Sequence, residues 1–329
     1  MMSVPLFHIA RTVKKLPYIP SLDIQSCNLN AKEEGALIAV GLDDFLLRDE
    51  WSSLRVVSER KLEPYLDLRV LDLVEQYGLR TTVFLSGSTV RRFPTLAKEI
   101  LGRGHEVAGH GMMHEDLRLV GSSQRVRDTI KQSLSILAES ARQRVEGWKN
   151  PGFFQDKLVR KGLGQSEVNW CTGTIIPLVL AKFGCCLLPF KDHDSKVELP
   201  TAPELIDYYL YVERRTSPRS FERTWTRLTT RFGSSVLIFT IHPWLHLLEE
   251  DRFKALGRVF ECFAASATCL LQGQIYQMFG SGQISVSRTH QFALRLASRI
   301  SENARNLVTS RPAERFDSIS GPPGDRDIY

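Results

Sequence analysis

Short uninterrupted apolar runs alternate along the chain with stretches whose apolar residues recur every three to four positions. This is the pattern of buried parallel strands separated by amphipathic helices. The first firm run is ALIAVGLDDF, residues 36–45, where Leu37, Ile38, Ala39 and Val40 predict a strand covered on both faces and ending on two adjacent carboxylates, Asp43 and Asp44. A helix over 66–77 closed by Gly78, a second buried strand at TTVFLSG (81–87) and a helix over 93–102 follow. Ser122 or Ser123 is placed to cap a helix carrying Val126, Ile130, Leu134 and Leu137 on one side. A short strand, Val145 to Lys149, then runs into the turn Asn150-Pro151-Gly152. VNWCTGT (168–174) and CCLLPF (185–190) read as short strands, and the polar, Asp- and Pro-rich residues 191–217 as a surface loop. A basic amphipathic helix over 218–231 precedes the clearest strand, SSVLIFTIHPW (234–244), which delivers His242. Phe253, Leu256, Val259, Phe260 and Phe263 mark the inward face of the next helix, and Phe292, Leu296, Ile300 and Leu307 mark a last one.

Repeated strand–helix units predict an α/β fold with a parallel sheet, open or closed into a barrel. With 329 residues and 43% hydrophobic content the chain can bury one large core. Residues 1–34, without a clear period, read as an N-terminal extension, and 311–329 as a disordered tail. The net charge of +6 is scattered among interleaved acids and bases, which argues against a nucleic-acid partner. The six cysteines, at 27, 171, 185, 186, 262 and 269, form no CxxC pair and read as reduced thiols. The first twenty residues have their basic cluster after the apolar patch, the wrong order for a secretory signal, and 262–287 are too diluted by Gln, Ser, Gly and Thr for a membrane span. A cytoplasmic protein is expected; the oligomeric state stays open.

Candidate chemistry centres on HEVAGHGMMHED, residues 105–116, where His110 and His114 stand four apart. On a helix, or on the first turn after a strand, that spacing brings two imidazoles to one face, as a divalent metal requires. In α/β folds the residues just past the strand ends gather on one rim. Asp43 and Asp44, the histidine pair, Lys149 and His242 all occupy such positions, on four separate strands. A metal held by that histidine pair would need a third ligand from elsewhere, with a base and an acid beside it. Trp148, Trp170 and Trp244 read as core or rim aromatics, and Glu115-Asp116 as an exposed acidic turn.

Asp-Asp at a first strand end, TTVFLSG, His-x3-His, GWKNPGF and a His-Pro after a late apolar strand, in that order, resemble the polysaccharide deacetylases of carbohydrate esterase family 4 over roughly residues 35–280. The resemblance implies a distorted parallel (β/α) barrel of fewer than eight units, followed here by a C-terminal helix over 281–310. It implies Asp43 as general base, Asp44, His110 and His114 as metal ligands, His242 as general acid, and Lys149 in the place of the arginine that orients the base. The implied metal is zinc foremost, with cobalt, nickel or manganese as substitutes, and the implied substrate is an N-acylated, typically N-acetylated, saccharide. Three departures accompany it: Gly41 and Phe45 flank the acidic pair where the family has Thr and Gly, Gly111 replaces a Ser or Thr, and Lys149 replaces the arginine. Two alternatives stand beside it: a hydrolase of small cyclic amides on the same scaffold, and a non-catalytic carbohydrate-binding or scaffolding descendant. A zincin-type protease is excluded, because Gly111 stands where its Glu would follow the first histidine.

Overall fold

Eight consecutive buried residues make β1 (Ala36–Asp43) the spine of the sheet. It is flanked in parallel by β2 (Thr82–Leu85) and by β8 (Val236–Ile241), itself buried throughout. The computed structural model describes residues 36–44, 67–153, 155–178, 187–192, 196–231 and 236–309. Residues 1–34, Phe45, Cys185, Cys186 and 311–329 lie outside them.

Beyond β2 the sheet continues through β3 (Glu106–Gly109), β4 (Gly147–Lys149), β5 (Trp170–Thr172) and β7 (Val197–Glu198) to β6 (Phe190–Lys191). β9 (Ala267–Cys269) adds to the start of β1. All pairings are parallel except β6 with β7. The sheet curls into the distorted (β/α) barrel of fewer than eight units that the alternation and the resemblance predict.

The covering helices follow their apolar spacing. α1 (Arg69–Gln76) buries Val70, Leu71, Leu73 and Val74. α2 (Gly87–Arg92) and α3 (Leu96–Gly102) carry the chain from β2 to β3. α4 (Ser123–Ala141) buries Val126, Ile130, Ser133, Leu134, Leu137 and Ala141, and its N-cap Ser122 accepts the Arg125 N–H. α5 (Lys157–Gly164), α6 (Pro218–Arg231), α7 (Pro243–Leu247), α8 (Glu250–Ser266), α9 (Gln272–Gly280) and α10 (Arg288–Thr309) complete the layer. None of the described helices is long and apolar enough to cross a membrane.

Three expectations are corrected. Of the described residues of CCLLPF only Phe190 joins a strand, the antiparallel edge β6, while 187–189 are irregular. Residues 191–217 are not a surface loop: Val197, Glu198, Leu199, Thr201, Ala202, Leu205, Ile206 and Asp207 are all buried. Thr201 bridges Ile175 beyond β5 and donates its hydroxyl to the Ile238 carbonyl (2.7 Å), and Ile206 bridges Thr240. This segment therefore spans from β5 to β8 and satisfies its polar backbone against both, which is how a stretch rich in Asp and Pro can be interior. The third correction concerns α10, where the first two of the apolar residues that mark the helix face water: Phe292 is 67% exposed and Leu296 40%. Leu294 and Ala297 are buried instead, joining the same core, with Arg295 donating to the Lys191 carbonyl of β6 (2.7 Å).

Candidate active site

Asp43, the last residue of β1, and Lys149, the last of β4, meet across the mouth of the barrel. The Lys149 ammonium donates to both oxygens of Asp43 at 2.6 Å each and to the Thr240 hydroxyl at 3.2 Å, so all three of its N–H groups have acceptors. It is wholly buried, 4.3 Å from the Phe153 ring centroid and 5.3 Å from that of Phe84. Burial pushes Lys149 below the usual lysine range, against the pull of Asp43 on its charge. Two further nitrogens flank the same carboxylate. Nε2 of His110 lies 3.8 Å, and Nε2 of His242 3.6 Å, from Oδ2 of Asp43.

His110 immediately follows β3, and its Nδ1 faces the Lys149 carbonyl at 3.0 Å. A carbonyl only accepts, so Nδ1 carries the proton and the lone pair of the neutral ring sits on Nε2, the nitrogen turned to the site. The His114 ring meets that of His110 edge-on, with centroids 4.8 Å apart. The pair is brought together by a tight turn after the strand and not by a helix: Gly111 (φ 81°) and His114 (φ 60°) both adopt left-handed backbone. Glu115 accepts the N–H groups of Met112 (3.0 Å) and Met113 (2.5 Å), and Ser133 donates to the Gly111 carbonyl (2.8 Å). A side chain at 111 would be strained at that φ and would crowd Glu115 and Pro151, each 3.1 Å from its Cβ.

The Glu115 carboxylate thus braces the loop where the family has a hydroxyl, and Asp116 accepts the Arg118 N–H at the start of the turn Leu117–Val120. Both acids are half-buried, which corrects the expectation of an exposed acidic turn. Glu115→Ala should cost about 1–3 kcal/mol, because the part-buried Met112 N–H loses its acceptor. Urea unfolding checks this, and an unchanged midpoint would show that the loop holds its shape without Glu115.

Asp44, with φ at 24°, has its carboxylate held by the hydroxyls of Ser86 (2.8 Å) and Thr89 (2.7 Å to each oxygen), at the start of α2. The donor set of Asp44, His110 and His114 is chemically suited to a divalent cation, and the His110 tautomer presents the required lone pair. Among the described residues no group of three or more His, Cys, Asp or Glu side chains is drawn together as a metal cluster. The structure brings the two imidazoles together and pairs Asp44 with hydroxyls.

At the other side of the mouth, His242 follows β8 and directs Nδ1 to Oδ1 of Asp207 at 2.6 Å. The other oxygen of Asp207 accepts the His242 backbone N–H (2.7 Å) and faces Nε2 of His246 (3.0 Å). Burial by itself would raise the Asp207 pKa, but the charge and hydrogen bonds of His242, with those of His246, hold it well below the usual carboxylate range. Because a carboxylate only accepts, the Nδ1 proton of His242 points to Asp207, and Nε2 is left facing Asp43. No periodicity marks Asp207, which lies in the segment expected to be a surface loop. The one available signal was the second His-x3-His spacing, 242 and 246. Trp148, Trp170 and Trp244 are buried to 1% exposure or less, so they offer no open face to a sugar.

Residues 64–169 match the family model described as polysaccharide deacetylase. That stretch contains His110, His114 and Lys149, while Asp43, Asp44, Asp207 and His242 lie outside it. The chain is 42% identical over 52 residues to a peptidoglycan-N-acetylglucosamine deacetylase of Bacillus cereus, covering 16% of this chain and 24% of that protein. It is 26% identical over 110 residues to a chitooligosaccharide deacetylase of Sinorhizobium fredii, covering 32% and 51%. The matches thus span about a quarter to a half of those relatives' length. Among solved structures, a protein from Mycobacterium smegmatis described as a polysaccharide deacetylase superposes with a TM-score of 0.59 at 18% identity, covering 78% of this chain and 96% of that one. The Puue allantoinase superposes with a TM-score of 0.60 at 13% identity, covering 81% and 98%. At these identities the likeness is one of fold.

Proposed function

We propose that this protein, which belongs to the polysaccharide deacetylase family, is a metal-dependent hydrolase that removes acetyl groups from N-acetylated sugars in an oligomer or polymer. The observation that carries this reading is the placement of Asp43. It is a buried carboxylate gripped by Lys149, with the site-facing nitrogens of His110 and His242 on either flank. A base and an acid thus face one another 3.6 Å apart. The matched family and curated relatives favour a sugar amide over the small cyclic amides of the alternative reading, which rests on fold alone.

Asp44, His110 and His114 would hold the metal, which when bound supplies a Lewis acid for the acetyl oxygen and a lowered pKa for the attacking water. Asp43 takes the proton from water as its oxygen adds to the acetyl carbon. Lys149 keeps the base charged and oriented. His242, protonated on Nε2, gives that proton to the sugar nitrogen as the C–N bond breaks, leaving acetate and a free amine. The buried negative charge of Asp207 stabilises the imidazolium this step needs, as the acidic partner does in other Asp–His pairs.

The test is elemental analysis of protein purified without added metal, together with acetate release from N-acetylated chitooligosaccharides. About one divalent ion per chain is expected, and His110→Ala or His114→Ala should remove it, with activity, while leaving the fold intact. Full metal occupancy in both variants would place the metal elsewhere. Sugar binding without metal-dependent turnover would favour the non-catalytic reading.

A further inference from the structure

His242 and His246 stand four residues apart, with Pro243 opening α7, so one helical turn places the second imidazole on the same side as the first. Both converge on the wholly buried Asp207. Its Oδ1 meets Nδ1 of His242 at 2.6 Å and accepts the Tyr208 backbone N–H at 2.6 Å, while its Oδ2 takes the His242 backbone N–H at 2.7 Å and Nε2 of His246 at 3.0 Å. A carboxylate can only accept, so Nε2 of His246 carries a proton directed at Asp207. The His246 ring is itself fixed. It is fully buried, its centroid lies 5.5 Å from those of Tyr211 and Phe221, and its Nδ1 faces the Arg252 carbonyl at 3.3 Å. The charged and titratable groups around it are Asp207, Tyr211, His242 across Asp207, and Arg252, whose guanidinium lies over the Tyr211 ring and pairs with Glu249 at 2.8 Å.

We propose that His246 is a positioning residue for the acid end of the site: its Nε2–H, together with the backbone N–H groups of His242 and Tyr208, fixes the plane of the Asp207 carboxylate, so that Oδ1 holds His242 Nδ1 and His242 Nε2 stays turned to Asp43. This rests on the hydrolysis proposed above, in which His242 protonates the leaving amine. Among the described residues, loss of His246 leaves Oδ2 with the His242 backbone N–H alone while Oδ1 keeps the Tyr208 N–H, so the carboxylate loses its side-chain tether on Oδ2 and can tilt about the two backbone contacts. The rotation is carried directly into the His242 ring through the 2.6 Å contact. Misplacement of a proton donor by a fraction of an ångström to an ångström is costly where the leaving group depends on it, and harmless where it does not. Lost packing, by contrast, would affect every substrate alike.

The experiment compares His246→Phe, which keeps an aromatic ring beside Tyr211 and Phe221 but has no donor, with His246→Gln, whose amide N–H can still reach Asp207. For the Phe variant, kcat on an N-acetylated chitooligosaccharide should fall about ten- to hundredfold at unchanged KM. Acetyl release from 4-nitrophenyl acetate, whose leaving group departs without a proton, should stay within about twofold. Gln should recover most of the loss. An NMR readout needs no turnover: the His242 Nδ1 proton, a downfield and slowly exchanging signal in the native chain, should exchange faster in the Phe variant and slow again with Gln. If the Phe variant does not fold, His246→Met supplies the same contrast with Gln. Equal loss on amide and ester, or an unaltered Nδ1 proton in the donor-less variant, overturns the positioning role. A native chain that hydrolyses neither substrate defeats the hydrolase reading, and the NMR comparison still decides the role of His246.

Discussion

Asp43→Asn is expected to lower turnover by about a hundredfold or more, the usual consequence of losing a general base, while leaving the metal content near that of the native chain. The substitution is isosteric, but the amide cannot take the proton from water, and it offers one acceptor oxygen where the carboxylate offers two to the Lys149 ammonium. The buried ammonium then loses its counter-charge, so stability should fall as well, by about 3–5 kcal/mol on the scale of broken buried pairs. Turnover must therefore be compared well below the unfolding transition of the variant. Asp44→Asn separates the neighbouring roles: its carboxylate is held by Ser86 and Thr89, away from Lys149, and its change should lower metal content. Equal metal loss in the two variants would contradict the division of labour between the adjacent acids.

The framework of the site was legible because strand ends are legible. Buried parallel strands read as unbroken apolar runs, and in this fold whatever follows them lands on one rim, so Asp43, His110, Lys149 and His242 could be placed together before any distance was known. The distances then show something spacing could not: the other three groups meet around Asp43. What escaped the sequence lies in irregular backbone. Asp207 sits in a stretch whose polar composition suggests solvent, and it is the bridges of Thr201 to Ile175 and of Ile206 to Thr240 that make the stretch interior. Glu115 escaped for a related reason, since a carboxylate that accepts two N–H groups of its own loop leaves no periodic trace. On α10 the large apolar residues mislead, because the buried positions there are Leu294, Ala297 and Ser298, two of them small, while Phe292 faces outward.

Lys149→Met tests whether the buried ion pair is held together as a unit. Methionine matches the length of lysine and fills the space between Phe84 and Phe153, so packing changes little and the missing charge dominates. Asp43, buried at 3% exposure in the native chain, would lose the ammonium from both of its oxygens, and removal of one partner from such a pair typically destabilises by about 3–5 kcal/mol. That is a large share of the stability of an ordinary domain, about 5–15 kcal/mol, so a fall in the urea midpoint should be plain. Turnover should fall too, because a base without its cation loses both its charge stabilisation and its orientation. The double variant Asp43→Asn/Lys149→Met removes both charges and should recover much of the stability without recovering any activity, since replacing a whole buried pair is often close to neutral. Lys149→Arg is the complementary variant. Its guanidinium can hold both oxygens of Asp43 in one plane, but it cannot supply the third N–H to Thr240 from a single nitrogen as the ammonium does. It should keep the fold and a substantial part of the turnover. If the double variant is as unstable as the two single changes summed, the residues are not energetically coupled, and the 2.6 Å contacts do not hold the base in place.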